Sequence, residues 1–454
     1  MARHSRTTKA GLRGGGAQGP AAPRLGMVVR FAPGAKAAGI KQLETGGFRV
    51  ASSRDFKAAV AVPNDFGGAD VQYFERFGIA VVRRRSERLN PMLQHAMALK
   101  VVQAARPERA YQALGAPVQR RPGAPLVRAL PAGGERQIDY FLGYRDAVNS
   151  LVDRMLGGAA PGAARLAARF EETSATWGLE AVLAPPSTLS GAGIKISVLD
   201  TGFDETHPDF QGRAVTKKLF ASNSSNDDVH GHGTHCIGTA CGPLRPSSGP
   251  RYGVAYEAEI FAGKVLGDDG FGTDRSIIAG MDWALEQGCH IISMSLGAPT
   301  QLGDAPSDDY EQIGQVCLDA GTLVIAAAGN ESRRPSQIAS VGSPANASTI
   351  MAVGGIDINL DIYDRSCGGM NPRQDVDIAA PGVDVLSTLP SGAYDRWNGT
   401  SMATPHVAGV AALIAQSDPK YRGWVLWTRL LQLARPLSLP ARDVGRGLVQ
   451  APPQ

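Results

Sequence analysis

Four short segments carry side chains that could together do acyl transfer. Asp200 closes the apolar run IKISVLD, His232 stands in HGHGTH (230–235), Asn330 closes TLVIAAAGN, and Ser401 stands in GTSMATPHVAGV (399–410). Serine is a poor nucleophile at neutral pH and needs an adjacent base to take its proton. Histidine titrates in the right range, and a buried carboxylate fixes its tautomer and stabilises the imidazolium that forms. The serine segment is unusual as a helix start, because it opens Gly-Thr-Ser and carries Pro405. A serine at a helix N-terminus sits among unpaired N–H groups at the positive end of the dipole, where negative charge is favoured. Its own N–H can then donate to a developing oxyanion. Gly399 would let substrate backbone approach closely. Pro405 is expected at about the first turn, where its missing N–H costs little, against ~3 kcal/mol in a helix interior.

Strands and helices must bring these groups together. From about Thr176 the sequence alternates continuous apolar strands (IKISVLD, EIFAGKVL, HIISMSL, TLVIAAAG, STIMAVGG, VDIAAPG) with helical segments. The helices are expected at residues 232–240, over TDRSIIAGMDWALEQG, near 309–320 and at 400–416. Such a pattern predicts an α/β fold, a doubly wound and mostly parallel sheet covered on both faces. In such sheets ligands bind beyond the carboxyl ends of the strands, which is where the four residues fall.

The chain resembles the subtilisin-type serine peptidases (subtilases). The likeness lies in DTG (200–202), HGHGTH, AAAGN (326–330) and GTSMATPHVAGV, in the order acid, histidine, serine that marks this family. The segments stand in sequence at separations of 32, 98 and 71 residues and the likeness spans roughly residues 176–434, including TWGLEAVLAPPS. It implies a subtilisin-like catalytic domain with Asp200 as orienting acid, His232 as general base, Ser401 as nucleophile and Asn330 as side-chain donor to the oxyanion. His230, His235 and His406 are expected to be structural. Ser295, Leu296 and Gly297, with Ala327, Ala328 and Gly329, would form the two walls of the primary specificity pocket. Their small size implies an open, uncharged pocket for large apolar or aromatic P1 residues. HGTHC is similar to the proteinase K branch, where a free thiol (here Cys236) lies near the active site; a buried inert cysteine is the plainer expectation. Asp209 matches a position that often ligates calcium, but the loop CGPLRPSSGPRYG is poor in oxygen ligands. No metal or cofactor is expected.

The remaining third reads differently. Residues 1–150 carry a charge of +14 and the rest −10, which together give the chain its +4. Opposite fields favour docking of the basic part on the acidic part; no motif for nucleic acid accompanies the charge, and no apolar run approaches the ~18 residues of a membrane helix. Residues 1–26 are expected to be a disordered basic arm, 27–90 a prodomain-like α/β unit, 91–173 a helical and linker region, and 174–454 the catalytic domain. Within these, MVVRF and GIAVVRR read as strands, KAAGIKQLE as a helix, and residues 90–105 and 138–156 as helices. The five cysteines suggest free, mostly buried thiols rather than a disulfide framework. With no apolar core behind the basic N-terminus, cytoplasmic location is expected; export by another route or from a different start is the alternative. The functional expectation is a serine endopeptidase acting on polypeptides, self-processed or inhibited by its N-terminal region. The competing expectation is a catalytically silent interaction protein of the same fold.

Overall fold

The computed structural model describes residues 25–56, 68–83, 89–117, 170, 172–222 and 224–452. The expected arm, apart from its last two residues, and the expected helix at 138–156 lie outside them. The N-terminal unit comprises β1 (Met27–Phe31), α1 (Lys36–Thr45), β2 (Val50–Ser52), β3 (Val71–Phe74), β4 (Ile79–Val82), α2 (Leu89–Ala98) and β5 (Val102–Pro107). Its sheet runs β2-β3-β4-β1-β5. Side chains alternate across it with the period of two that a strand imposes. Val29, Phe31, Val71, Tyr73, Ala80 and Val82 form one core with Leu43 of α1 and Leu89 and Leu93 of α2. Val28, Phe74, Ile79 and Val81 point the other way, into a core shared with the larger domain.

The helix expected over residues 90–105 is shorter. It ends at Ala98, Lys100 turns the chain at φ +56°, and Val102–Pro107 pairs with β1. Without that pairing the edge of β1 would leave its ladder groups open, so strand pairing wins over local helical preference. The unit therefore runs past residue 90. Two short strands, β6 (Ala110–Ala113) and β7 (Ala116–Pro117), then lead out of it and into the larger domain.

After a short helical turn at Trp177–Ala181, that domain runs through β8 (Lys195–Asp200), β9 (Val215–Leu219), α3 (His232–Cys241), β10 (Glu259–Lys264), β11 (Phe271–Thr273) and α4 (Asp274–Glu286). It continues through β12 (Ile291–Met294), β13 (Leu296–Gly297), α5 (Asp308–Asp319), β14 (Leu323–Ala327), β15 (Met351–Ile356) and β16 (Ile378–Pro381). The hairpin strands β17 (Val385–Leu389) and β18 (Ala393–Asn398) precede α6 (Thr400–Ser417) and α7 (Gly423–Leu433). Seven strands form one sheet in the order β16-β15-β14-β12-β8-β10-β9, every neighbour parallel. Continuous apolar strands are what such a sheet needs, since both faces are buried. Ile196, Val198, Leu323, Ile325 and Val353 pack with α3 and α6. Leu199, Ile292, Val324 and Ala326 pack with α4 and α5, on the side where the N-terminal unit sits. Among the described residues no helix is long and apolar enough to cross a membrane.

Candidate active site

Asp200 is the last residue of β8 and His232 the first of α3, and both are buried. His232 Nδ1 lies 2.7 Å from Asp200 Oδ1, which also accepts the Thr201 N–H at 2.7 Å. Burial opposes the imidazolium, but the adjacent Asp200 carboxylate outweighs it, with a smaller contribution from Cys236, and holds the His232 pKa well above the ordinary imidazole value. His232 Nε2 is buried and has no hydrogen-bond partner among the described residues. An unmet buried nitrogen costs about 1–3 kcal/mol, and such a nitrogen at the start of a helix marks a group kept for another task.

A residue not singled out in the sequence holds β8 and α3 in register. The buried Asp228 carboxylate accepts from Thr201 Oγ1 (2.8 Å), from Gly231 N (2.8 Å), and from Thr234 N and Oγ1 (2.8 and 2.7 Å). It thus caps the first turn of α3, whose N–H groups have no intrahelical partner. Its signal in the sequence is an aspartate just ahead of the histidine helix.

Ser401 is the second residue of α6, and its Oγ–H donates to the Ser295 carbonyl at 2.9 Å. Pro405 is not in the first turn; α6 starts at Thr400, so the proline falls in the second. The carbonyl it leaves without an i+4 donor is that of Ser401. That oxygen accepts instead from Ser295 Oγ at 2.8 Å and Cys236 Sγ at 3.7 Å. The proline is tolerated because neighbouring side chains replace the missing donor.

Beside these groups lies a stretch of the chain itself. β6 runs antiparallel between β11 and β13, forming a three-stranded sheet in the order β11-β6-β13. The Leu114 N–H donates to the Ser295 carbonyl (3.3 Å), and the Leu114 carbonyl accepts from Asn330 Nδ2 at 2.6 Å. Asn330 is aimed by Thr400, whose N and Oγ1 both donate to Asn330 Oδ1 at 3.0 Å. A Cβ on Gly399 would lie 2.3 Å from the Leu114 oxygen, so only glycine permits this approach. A Cβ on Gly115 would lie 3.1 Å from His232 Nε2, and one on Gly297 2.8 Å from Leu114 Cδ1. Beyond Gly115, β7 pairs with Trp397 and Asn398 of β18. Residues 110–117 therefore cross the ends of Ser401, His232 and Asn330 as an extended strand.

The sequence matches the Subtilase family over residues 191–442. The chain belongs to that family. It is 41% identical over 281 residues to Subtilisin BL of Lederbergia lenta, a match that covers 61% of this chain and 97% of that protein. Subtilisin Savinase of the same organism matches to the same extent. The major intracellular serine protease of Bacillus subtilis (strain 168) is 34% identical over 286 residues, covering 60% of this chain and 86% of that protein. The chain is accordingly a serine endopeptidase with the α/β subtilisin fold.

The other expected positions in this subtilase fall as follows. Ser295, Leu296 and Gly297 meet residues 112–114 directly. Ala327, Ala328 and Gly329 lie buried at the end of β14, with the Gly329 N–H on Thr400 Oγ1 at 3.2 Å. His235 stacks on Trp397 (5.3 Å) and bonds the Val385 carbonyl; burial pushes its pKa down to about 3. His406 is held by the Met402 carbonyl at 2.8 Å, and burial pushes it down to about 4. Cys236 lies 3.8 Å from His232 Nδ1, and burial raises its thiol pKa; all five cysteines are buried and unpaired. The Asp209 carboxylate is occupied by Tyr252 (2.6 Å) and Tyr394 (2.9 Å) hydroxyls and the Ser247 N–H (2.6 Å). A cation there would have to displace three donors, so those residues do not fit a calcium ligand set.

Proposed function

We propose that Ser401, His232, Asp200 and Asn330 carry out peptide hydrolysis and that the chain's own first substrate is the Leu114–Gly115 bond. The observation that carries this reading is the Leu114 carbonyl on Asn330 Nδ2 at 2.6 Å, with the Leu114 N–H on the backbone of Ser295. In attack, the Ser401 hydroxyl turns from the Ser295 carbonyl toward His232 Nε2 and gives up its proton there. Its oxygen bonds the Leu114 carbonyl carbon, and the charge that develops on the carbonyl oxygen is met by Asn330 and by N–H groups at the start of α6. Collapse breaks the bond to Gly115 N, which takes the proton from His232, and leaves an acyl-enzyme on Ser401. Water, deprotonated by His232, attacks the ester; Ser401 leaves as the alcohol by taking that proton back from His232, and the acid is released. Asp200 holds the ring and balances its charge throughout.

In this reading Leu114 is the P1 residue, which accords with a preference for apolar P1 side chains against the small wall at Gly297. Gly115 is P1′, where a side chain would press on His232 and Met402. The N-terminal unit acts as an inhibitory prodomain, delivering residues 110–117 to the cleft. Its basic residues meet acidic groups on α4 and α5: Arg76 with Asp282 (2.8 Å), Arg30 with Asp308 (2.8 Å), and Arg106 with both Asp274 (2.7 Å) and Asp309 (2.6 Å). Glu108 accepts the Arg275 N–H in the first turn of α4 (3.1 Å).

The test is intact mass with N-terminal sequencing of purified wild-type and Ser401→Ala protein. The expected result is a wild-type fragment beginning at Gly115 and an uncut variant. Equal intact masses, or a wild-type fragment beginning elsewhere, would refute the assignment of the bond.

A further inference from the structure

We propose that Asp274 makes this subtilase select tyrosine at the fourth residue on the acyl side of the cleaved bond (P4), by hydrogen-bonding the phenol rather than by sizing the ring. The inference rests on the reading of Leu114–Gly115 as the bond presented to Ser401, which makes Tyr111 the P4 residue.

Tyr111 is 1% exposed, and its ring meets the Tyr310 ring edge-on at 6.0 Å. Its hydroxyl donates to Asp274 Oδ1 at 2.9 Å and lies 3.4 Å from Ser343 Oγ. Burial, with the Asp274 charge beside it, raises the phenol pKa, so the group stays protonated and serves as donor. The site is thus an aromatic slot with a carboxylate at its end.

Asp274 is itself wholly buried, as the first residue of α4. Its carboxylate accepts from Tyr111, from the Arg109 N–H at 2.6 Å, and from Arg106 Nη1 and Nη2 at 2.7 and 3.2 Å. Among the described residues every side-chain partner of Asp274 thus comes from residues 106–111. When that segment leaves, the carboxylate loses all of these donors together. A substrate in the same place restores one through its backbone and one more only if the P4 side chain carries a suitably placed donor. Phenylalanine fills the slot and leaves Oδ1 unmet, which is costly for a charged group shielded from water. Leucine forfeits the edge contact with Tyr310 as well. Lysine brings a charge to the carboxylate but not the ring.

The test uses the wild-type chain after incubation under processing conditions, and quenched fluorescent peptides ending the acyl side in Leu, followed by Gly, with Tyr, Phe, O-methyltyrosine, Leu or Lys at P4. The expected kcat/KM for Tyr exceeds that for Phe by about tenfold or more, since the distinguishing bond is to a charged acceptor. O-methyltyrosine, which has the ring but no donor, falls to the Phe level or below. In Asp274→Ala the Tyr-to-Phe ratio drops toward unity; because the ratio is taken within one enzyme, losses common to both peptides cancel. The wild-type comparison with O-methyltyrosine stands alone if that variant does not fold. Equal rates for Tyr, Phe and O-methyltyrosine, or a preference for Lys, overturn the role of Asp274 while leaving the cleaved bond assigned. Failure to cut any peptide between Leu and Gly overturns the register at Ser401 and the proposal with it.

Discussion

At His232 the ring nitrogen toward Asp200 is bonded and the opposite one has no partner among the described residues. A general base must be neutral to accept the serine proton, so a basicity raised by Asp200 moves the acid limb of activity upward in pH. The expected kcat/KM profile therefore declines as pH is lowered, beginning at a pH above the ordinary imidazole range. Asp200→Asn removes the charge that raises His232 while burial, which lowers it, remains. The variant should lose roughly 10⁴-fold in kcat, and its residual activity should have an acid limb at lower pH; an unmoved limb would count against the electrostatic coupling. The residues of this constellation were legible in the sequence because each sits in a motif whose glycines and strand end constrain the backbone. Thr400 and Asp228 were not, because their work is to aim other residues. Pro405 shows the same limit: the residue was visible, but the donors that replace its N–H come from Ser295 and Cys236, more than a hundred positions upstream.

Among the elements, α3 depends most on one side chain. Four hydrogen bonds converge on Asp228, three of them from the first residues of the histidine turn. Asp228→Ala leaves buried donors without acceptors and removes the cap, for an expected loss of about 2–4 kcal/mol. Thermal unfolding in a Ser401→Ala background measures it without self-digestion. The long strands of the sheet were readable because parallel strands buried on both faces are continuously apolar. β6 and β7 were not. AYQA has no alternation and AP no strand preference, so both owe their extended form to β11, β13 and β18, partners contributed by distant sequence. β5 was misread as helix for the same reason, since its edge position on β1 decides its conformation.

For the whole molecule, the +14 of residues 1–150 and the −10 of the remainder favoured docking without saying where it would occur. In the structure the contact combines an apolar centre, Val28, Phe74, Ile79 and Val81 against α4 and α5, with ion pairs around it. The Asp308 and Arg76 side chains are 75% and 36% exposed, so these pairs are screened by salt in a way the apolar centre is not. If the proposed cut is made and the N-terminal unit inhibits as proposed, its release, followed as the onset of peptidase activity, should quicken as ionic strength rises. Asp282→Asn should quicken it at low salt and narrow the difference between low and high salt. A rate indifferent to both would mean that the apolar centre alone governs retention.

The strand β18 holds the chain twice. Ala116 and Pro117 pair with its end, and Glu172 returns to it through Arg396. On the proposed reading, cutting at Leu114 would therefore produce two unlike partners. The piece ending at Leu114 would be held as an ester on Ser401 until water releases its carboxyl group, while the new amino end would stay leashed beside that ester. Held there, that amine competes with water for the ester on Ser401 and can re-form the peptide. On the proposed reading, that back reaction would end when β7 peels from β18, so strand departure, together with hydrolysis of the ester, would commit the molecule to its processed form.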